Sequence, residues 1–169
     1  MALTTDDRLA IMDRLSRYNH AIDDLLPDAA DAWADCFTED GTFRAVTRSG
    51  ATAGDRFSDA IRALAMPGDS QQSDPEALIS LRGRQQLRAF AVSSHAAHAN
   101  GLQPGYHWVS NPLIEGDGDQ ATMTCYLRVV AGKTQDLDES TTATGFYRDQ
   151  LRKIEGQWKF QSRQVRFDD

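Results

Sequence analysis

Residues 106–130 read YHWVSNPLIEGDGDQATMTCYLRVV, and residues 141–167 read TTATGFYRDQLRKIEGQWKFQSRQVRF. Both stretches are dense in β-branched and aromatic side chains, which suit a half-buried pleated surface. Turn-forming runs cut them at Gly116-Asp117-Gly118-Asp119, Lys133 to Asp138 and Glu155-Gly156. The pattern predicts strands over Tyr106–Glu115, Gln120–Gly132, Thr141–Ile154 and Gln157–Phe167, joined as long hairpins into an antiparallel sheet.

The preceding half reads as helices. Ile11, Leu15, Tyr18 and Ile22 recur at helical spacing after a Thr/Asp-rich start suited to capping, which predicts a first helix over Thr5–Leu26, stopped by Pro27. Asp28 to Phe37 carries Ala30, Trp33, Ala34 and Phe37 on one helical face and reads as a short second helix. Asp40-Gly41 then turns the chain into a strand over Thr42–Thr47. Arg48 to Pro75 is rich in Gly, Ser, Asp and Gln and reads as a polar, mobile insertion that could serve as a lid. Ala77–Leu81 fits a short strand, and Gly83-Arg84 opens a third helix carrying Leu87, Phe90 and Ala91 towards His98. Helices first and a strand meander last is the α+β order. It predicts one domain over residues 1–169, with three helices packed on a curved, mainly antiparallel sheet around a pocket.

With 40% hydrophobic residues the 169-residue chain can fill one sizeable core. Its formal charge of −7, with no Lys/Arg cluster, disfavours a nucleic-acid partner. No stretch approaches membrane-spanning length, and Met1 to Asp7 has neither a basic nor an apolar leader pattern, so a cytoplasmic protein is expected. Cys36 and Cys125 each sit in an apolar pattern without metal-ligand spacing and read as buried reduced thiols.

Several polar residues fall inside these patterns. Asp23 lies at the margin of the apolar stripe of the first helix, one turn beyond Asn19, where it is either an interhelix hydrogen-bonding group or the partner of a catalytic residue. His107 shares a strand face with Val109 and Asn111 by period two, and is either a satisfied rim residue or a base. A carboxylate paired to it would fix the imidazole tautomer and stabilise imidazolium. Arg163 sits where strand alternation blurs, facing either solvent or a polar cavity, and if inward it could hold an anion or enolate-like oxygen. Tyr147 and Asp149 share a face with Gly145, whose small size would leave room beside them. His95 and His98 have a ligand-compatible spacing but no third ligand, and no metal is assigned.

The runs Leu15-x-x-Tyr18-x-x-x-Ile22-Asp23, Trp33-x-x-x-Phe37-Thr38-Glu39-Asp40-Gly41, His107-x-x-x-Asn111, Gly145-x-Tyr147-x-Asp149 and Glu155-Gly156-x-Trp158-x-Phe160 together resemble the SnoaL-like branch of the nuclear-transport-factor-2-like (NTF2-like) superfamily. The resemblance implies a cone-shaped α+β fold. Around the polar residues it is most similar to scytalone dehydratase and hexachlorocyclohexane dehydrochlorinase, whose Asp–His pair falls on Asp23 and His107. An arginine of the dehydrochlorinase falls on Arg163, and its helix-one lysine on Tyr18, whose phenol can still donate a hydrogen bond. The implied function is a cofactor-independent lyase or isomerase, with β-elimination or dehydration-type proton transfer on a small, largely apolar molecule. His107 would be the base, Asp23 its orienter and Arg163 an electrostatic stabiliser. Trp33, Phe37, Phe43, Val109 and Tyr147, with Tyr18, would shape the pocket. The alternative is a non-catalytic ligand-binding module or the small (beta) subunit of a ring-hydroxylating dioxygenase. The resemblance also implies a homo-oligomer, dimer or trimer, associating through the convex sheet face.

Overall fold

The structure is a computed structural model that describes residues 1–48, 77–99, 105–131 and 142–168. The chain runs α1 (Thr5–Ile22), α2 (Ala29–Ala34), β1 (Phe37–Thr47), β2 (Ile79–Arg82), α3 (Gly83–Ala99), β3 (Gly105–Asp117), β4 (Gln120–Ala131), β5 (Thr142–Ile154) and β6 (Gln157–Phe167). The insertion between Arg48 and Pro75 and the Lys133–Asp138 turn lie outside the described residues beyond Arg48 itself.

Thr4 caps α1 in a reciprocal capping box: its hydroxyl accepts from the Asp7 backbone N–H while the Asp7 carboxylate accepts from the Thr4 backbone N–H. The helix buries Ile11, Leu15, Tyr18, Asn19, Ala21 and Ile22. It ends at Ile22, short of the expected Leu26. The stop is not Pro27 but a local reversal in which Asp23 takes the C-cap and Asp24 adopts a left-handed φ of 58°. The second helix is likewise shorter than Asp28–Phe37, because Phe37 already pairs with Phe160 in the sheet.

The six strands lie in the order β2-β1-β6-β5-β4-β3. Every neighbouring pair is antiparallel except β1 and β6, which run parallel and place the first strand beside the last. The three helices pack against this open sheet, and the buried side chains of helices and sheet form one apolar cluster. The expected α+β architecture is therefore present, with a mixed sheet.

Two bulges decide which side chains face the helices. In β3, Ser110 pairs with Tyr126 but Leu113 pairs with Thr124, so Asn111 and Pro112 together stand opposite Cys125. Asn111 has a φ of 53° and is exposed, so it does not share the inner face of His107 and Val109 as strict alternation predicted. In β6 a second shift separates Phe160 from Ser162 and turns Arg163, Val165 and Phe167 inward in phase with Tyr147 and Asp149 of β5. Gly145 shares the buried face of Tyr147 and Asp149 but serves a different purpose from the one expected of it. A Cβ there would stand 2.2 Å from the Arg166 carbonyl oxygen, so the glycine admits a close approach of β6 rather than opening space beside Tyr147. The outer sheet face exposes Tyr106, Trp108, Leu113 and Tyr126. Among the described residues, no helix is long and apolar enough to cross a membrane.

The capping residue of α1 also ties the helix to the far hairpin. The Asp7 carboxylate accepts from Lys153 Nζ at 2.9 Å and from Trp158 Nε1 at 3.0 Å. The Lys153 hydrogen bond is the largest of the contacts that hold this carboxyl well below its ordinary value of 3.8. A carboxyl depressed by folding stabilises above its unfolded pKa and loses that contribution as pH falls through the folded value. Asp7→Asn is therefore expected to lower the thermal midpoint at neutral pH, and the gap between the two proteins should narrow below about pH 4. Paired melting curves across pH 2 to 7 (a range set by linkage, roughly) measure this.

Candidate functional site

The C-terminus of α1 and the start of β3 meet through Asp23 and His107. Asp23 Oδ2 accepts from the His107 backbone N–H at 3.0 Å, and Oδ1 lies 2.5 Å from His107 Nδ1. The backbone contact fixes where the carboxylate stands relative to β3, and the side-chain contact fixes the ring. A carboxylate only accepts, so Nδ1 carries the proton of the neutral ring and Nε2 keeps its lone pair. Nε2 makes no hydrogen bond among the described residues. The His107 side chain is 21% exposed against 6% for Asp23, which leaves the ring reachable while its partner is shielded. Because Asp23 caps a helix C-terminus, where the dipole disfavours a negative charge, the two His107 N–H groups do the stabilising there.

His95, from α3, supports the same corner: its Nε2 lies 3.0 Å from the Ala21 carbonyl of the last helical turn. It is thus engaged with backbone. The side chain of His98 lies outside the described residues, and no group of three His, Cys, Asp or Glu among those described could hold a metal ion.

Arg163 occupies a different place, in the core beneath α1. On β4 the residue paired with His107 is Val129, whereas the row through Arg163 and Asp149 crosses at Met123, six residues away or roughly 20 Å of strand. Arg163 Nε and Nη2 donate to the two oxygens of Asp149 at 2.8 and 2.7 Å, and both side chains are fully enclosed. The guanidinium carbon lies 4.0 Å from the ring centres of Tyr18 and Tyr147 and 3.9 Å from that of Phe160. Burial would lower the Arg163 pKa, but Asp149 outweighs it and the group stays charged. Burial likewise pushes the phenols of Tyr18 and Tyr147 well above their ordinary range, so both remain protonated donors.

Tyr18 links this pair to the aromatic wall. Its ring centre is 5.4 Å from Trp33, 5.9 Å from Phe37 and 6.0 Å from Tyr147, and Phe43 joins through Trp33 at 5.6 Å. Val109 stands two residues along β3 from His107 on the same inner face, paired with buried Leu127. Of the residues expected to shape a pocket, Tyr18, Trp33, Phe37, Phe43 and Tyr147 are thus buried in the core cluster, with Val109 partly buried against it. His107 and Asp23 lie towards one end of it and Arg163 towards the other, with no hydrogen bond or ion pair among the described residues joining the two.

Residues 4–164 match the SnoaL-like domain. The chain belongs to the SnoaL-like domain family. Solved structures agree on the fold. A cystatin-like-fold protein of unknown function from Nostoc punctiforme is 24% identical with a TM-score of 0.65, covering 99% of this chain and 96% of its own. The beta subunit of a candidate aromatic-ring-hydroxylating dioxygenase from Novosphingobium aromaticivorans is 20% identical, with a TM-score of 0.65 and coverages of 95% and 88%. A candidate scytalone dehydratase from the same organism is 18% identical, with a TM-score of 0.62 and coverages of 97% and 88%. Comparison with curated proteins returned no match. At these identities the likeness to solved structures establishes the cone architecture of this SnoaL-like chain, not its chemistry.

Asp149 is the residue that reading the sequence as separate strands passes over. It was visible beside Tyr147, but not as the counter-ion of Arg163. Asn19 is a second: it is buried, and its Oδ1 has no hydrogen-bond partner among the described residues. Removing one charge of a buried pair leaves the other uncompensated, at a cost of about 3–5 kcal/mol. Asp149→Asn is expected to destabilise the SnoaL-like domain on that scale, whereas the joint replacement Asp149→Leu with Arg163→Met should recover much of the loss. Urea denaturation of the three proteins measures both.

Proposed function

We propose that the protein is a cofactor-independent lyase or isomerase acting on a small, largely apolar molecule, with His107 as base and Asp23 as its positioning residue. The 2.5 Å contact between Asp23 Oδ1 and His107 Nδ1 carries this reading, since it leaves Nε2 as the free base of a side chain that is 21% exposed. In the proposed step Nε2 takes a proton from a C–H bond. The electron pair of that bond then forms a carbon–carbon double bond as a leaving group departs with its own bonding pair. In an isomerisation the same proton returns at another carbon. The Asp23 carboxylate stabilises the transient imidazolium and is not itself protonated. Tyr18, Trp33, Phe37, Phe43, Val109 and Tyr147 would form the apolar wall, while Arg163, neutralised by Asp149 in the core, has no part in the step at His107. The family and the candidate scytalone dehydratase among its structural neighbours are compatible with such chemistry.

The test combines turnover with tautomer state. A panel of cyclic β-hydroxy ketones and β-halo compounds is screened for elimination and for solvent deuterium exchange. His107→Ala and Asp23→Asn are each expected to lower turnover about 10²–10⁴-fold while ligand binding persists. In ¹⁵N-histidine spectra at mildly basic pH, His107 should carry its proton on Nδ1 in the wild type and lose that preference in Asp23→Asn. Turnover that survives His107→Ala would overturn the reading.

A second reading, a binding or assembly subunit, draws on the outer sheet face, where Trp108, Leu113 and Tyr126 are each more than half exposed. The fold likeness to a dioxygenase beta subunit accords with it. Within either reading we propose a homo-oligomer associating through this face. Trp108→Arg with Tyr126→Glu is expected to convert it to monomer by light scattering, and co-purification with an iron-containing large subunit would favour the subunit reading instead.

A further inference from the structure

The turn that carries Asp23 is a Schellman reversal with an aspartate where the motif usually has glycine. The Leu25 N–H donates to the His20 carbonyl at 2.8 Å and the Asp24 N–H to the Ala21 carbonyl at 3.2 Å, the two bonds that define such a stop. Asp23 is the C-cap between them, and Asp24 takes the left-handed conformation at a φ of 58°. That conformation crowds a Cβ, so a turn built on Asp24 holds less well than one built on glycine and gains from a tie outside the helix. His95 of α3 supplies the tie with both ring nitrogens. Nε2 lies 3.0 Å from the Ala21 carbonyl, the acceptor that the Asp24 N–H also uses, and Nδ1 faces the Asp24 carboxylate at 3.9 Å. A carbonyl only accepts, so Nε2 carries a proton whether the ring is neutral or charged, and the bond to Ala21 persists in both states.

We infer that His95 is a positioning residue for the Asp23–His107 pair: from α3 it clasps the turn Ala21-Ile22-Asp23-Asp24, so that the Asp23 carboxylate meets both the backbone and the ring of His107. The inference rests on the reading of His107 as base. The two oxygens of Asp23 must reach two separate groups of β3, at 3.0 and 2.5 Å. Hydrogen bonds weaken steeply with misalignment, so a rotated or frayed last turn does not satisfy both. Without its carboxylate partner the His107 ring is free to exchange tautomers, and the lone pair is no longer confined to Nε2. Among the described residues, no hydrogen bond or ion pair joins His95 to Asp23 or to His107 directly. It acts through the turn, which separates its role from that of a second acid or base. Its effect therefore belongs to the proton-transfer step rather than to ligand binding.

The ring signals of the two histidines make the test direct. In ¹⁵N-histidine spectra of the wild-type protein at mildly basic pH, His95 is expected in the Nε2–H form, opposite to the Nδ1–H form of His107. An Nδ1–H form of His95 would overturn the inference without any variant. His95→Phe keeps an aromatic ring and removes the donor. In it His107 is expected to lose its Nδ1–H preference, and kcat on the β-hydroxy ketones and β-halo compounds to fall about tenfold, the scale of one hydrogen bond, with KM changed less than about twofold. His95→Gln, whose amide nitrogen can donate from nearly the place of Nε2, should restore both. Adding Asp24→Gly to His95→Phe should also restore both, because glycine takes the left-handed turn without a clasp. An unchanged His107 spectrum in folded His95→Phe overturns the inference, as does a loss that neither Gln nor Asp24→Gly repairs. Should His95→Phe not fold, His95→Asn, too short to reach the Ala21 carbonyl, replaces it and the Asp24→Gly rescue is read on that background. The spectra decide the clasp even where no compound of the panel turns over. If they respond as expected while His107→Ala retains turnover, the clasp stands and the proposed base falls.

Discussion

Taking a guanidinium and a carboxylate out of water costs several kcal/mol per ion, and the Arg163–Asp149 pair shows how much structure that requires. Both oxygens of Asp149 are used, both ions are enclosed, and three rings from α1, β5 and β6 stack around the guanidinium. The pair can exist only if Arg163 points inward, which the β6 bulge ensures, and only if α1 lays Tyr18 over it. Tyr18 in turn positions Trp33, and through Trp33 the second helix and the Phe43 and Phe90 contacts. The packing of helices on sheet is organised outward from this point. Well-packed apolar side chains of similar volume are often as stabilising as such a pair, whereas losing one of its partners is costly.

The other end of the interior follows a different logic. Asp23 stands where α1 stops, and that stop is local: Asp23 takes the C-cap and Asp24 the left-handed turn, while His95 of α3 engages the Ala21 carbonyl. The carboxylate holds His107 by both backbone and ring. Because two elements far apart in sequence share that contact, the geometry of the imidazole is coupled to the docking of α1 on β3. Small changes in helix termination would be felt at Nε2.

Much of the architecture was legible in the chain. Turn-rich runs and β-dense stretches located the last four strands to within two residues at each end, and helical spacing found α1 and α3. The Asp23–His107 pairing was legible as a candidate from residue types and strengthened by family resemblance, since nothing local to either residue points at the other. Helix ends were less visible: Pro27 looks like the terminator of α1, but the chain had already reversed at Asp24. The start of β1 at Phe37 was hidden because Phe37 fits a helical stripe equally well, and only its parallel pairing with β6 resolves the choice.

Local chemistry by itself determined the element types, the α+β order and the composition of the core, because periodicity and turn propensity act within a few residues. Tertiary structure decided which side chains meet. Counting back from the Glu155-Gly156 turn in strict register sets Asp149 opposite Ser162, since Ile154 pairs with Gln157 and Leu151 with Phe160. One extra residue in β6 moves the register by one and brings Arg163 there instead. The β3 bulge does the same on the other side of the sheet and keeps His107 on the inner face with Val109. A bulge leaves almost no mark in the sequence, since its position is chosen by the packing of the whole sheet. It nevertheless inverts every side chain beyond it, and so the polar interior of this protein was settled by the fold.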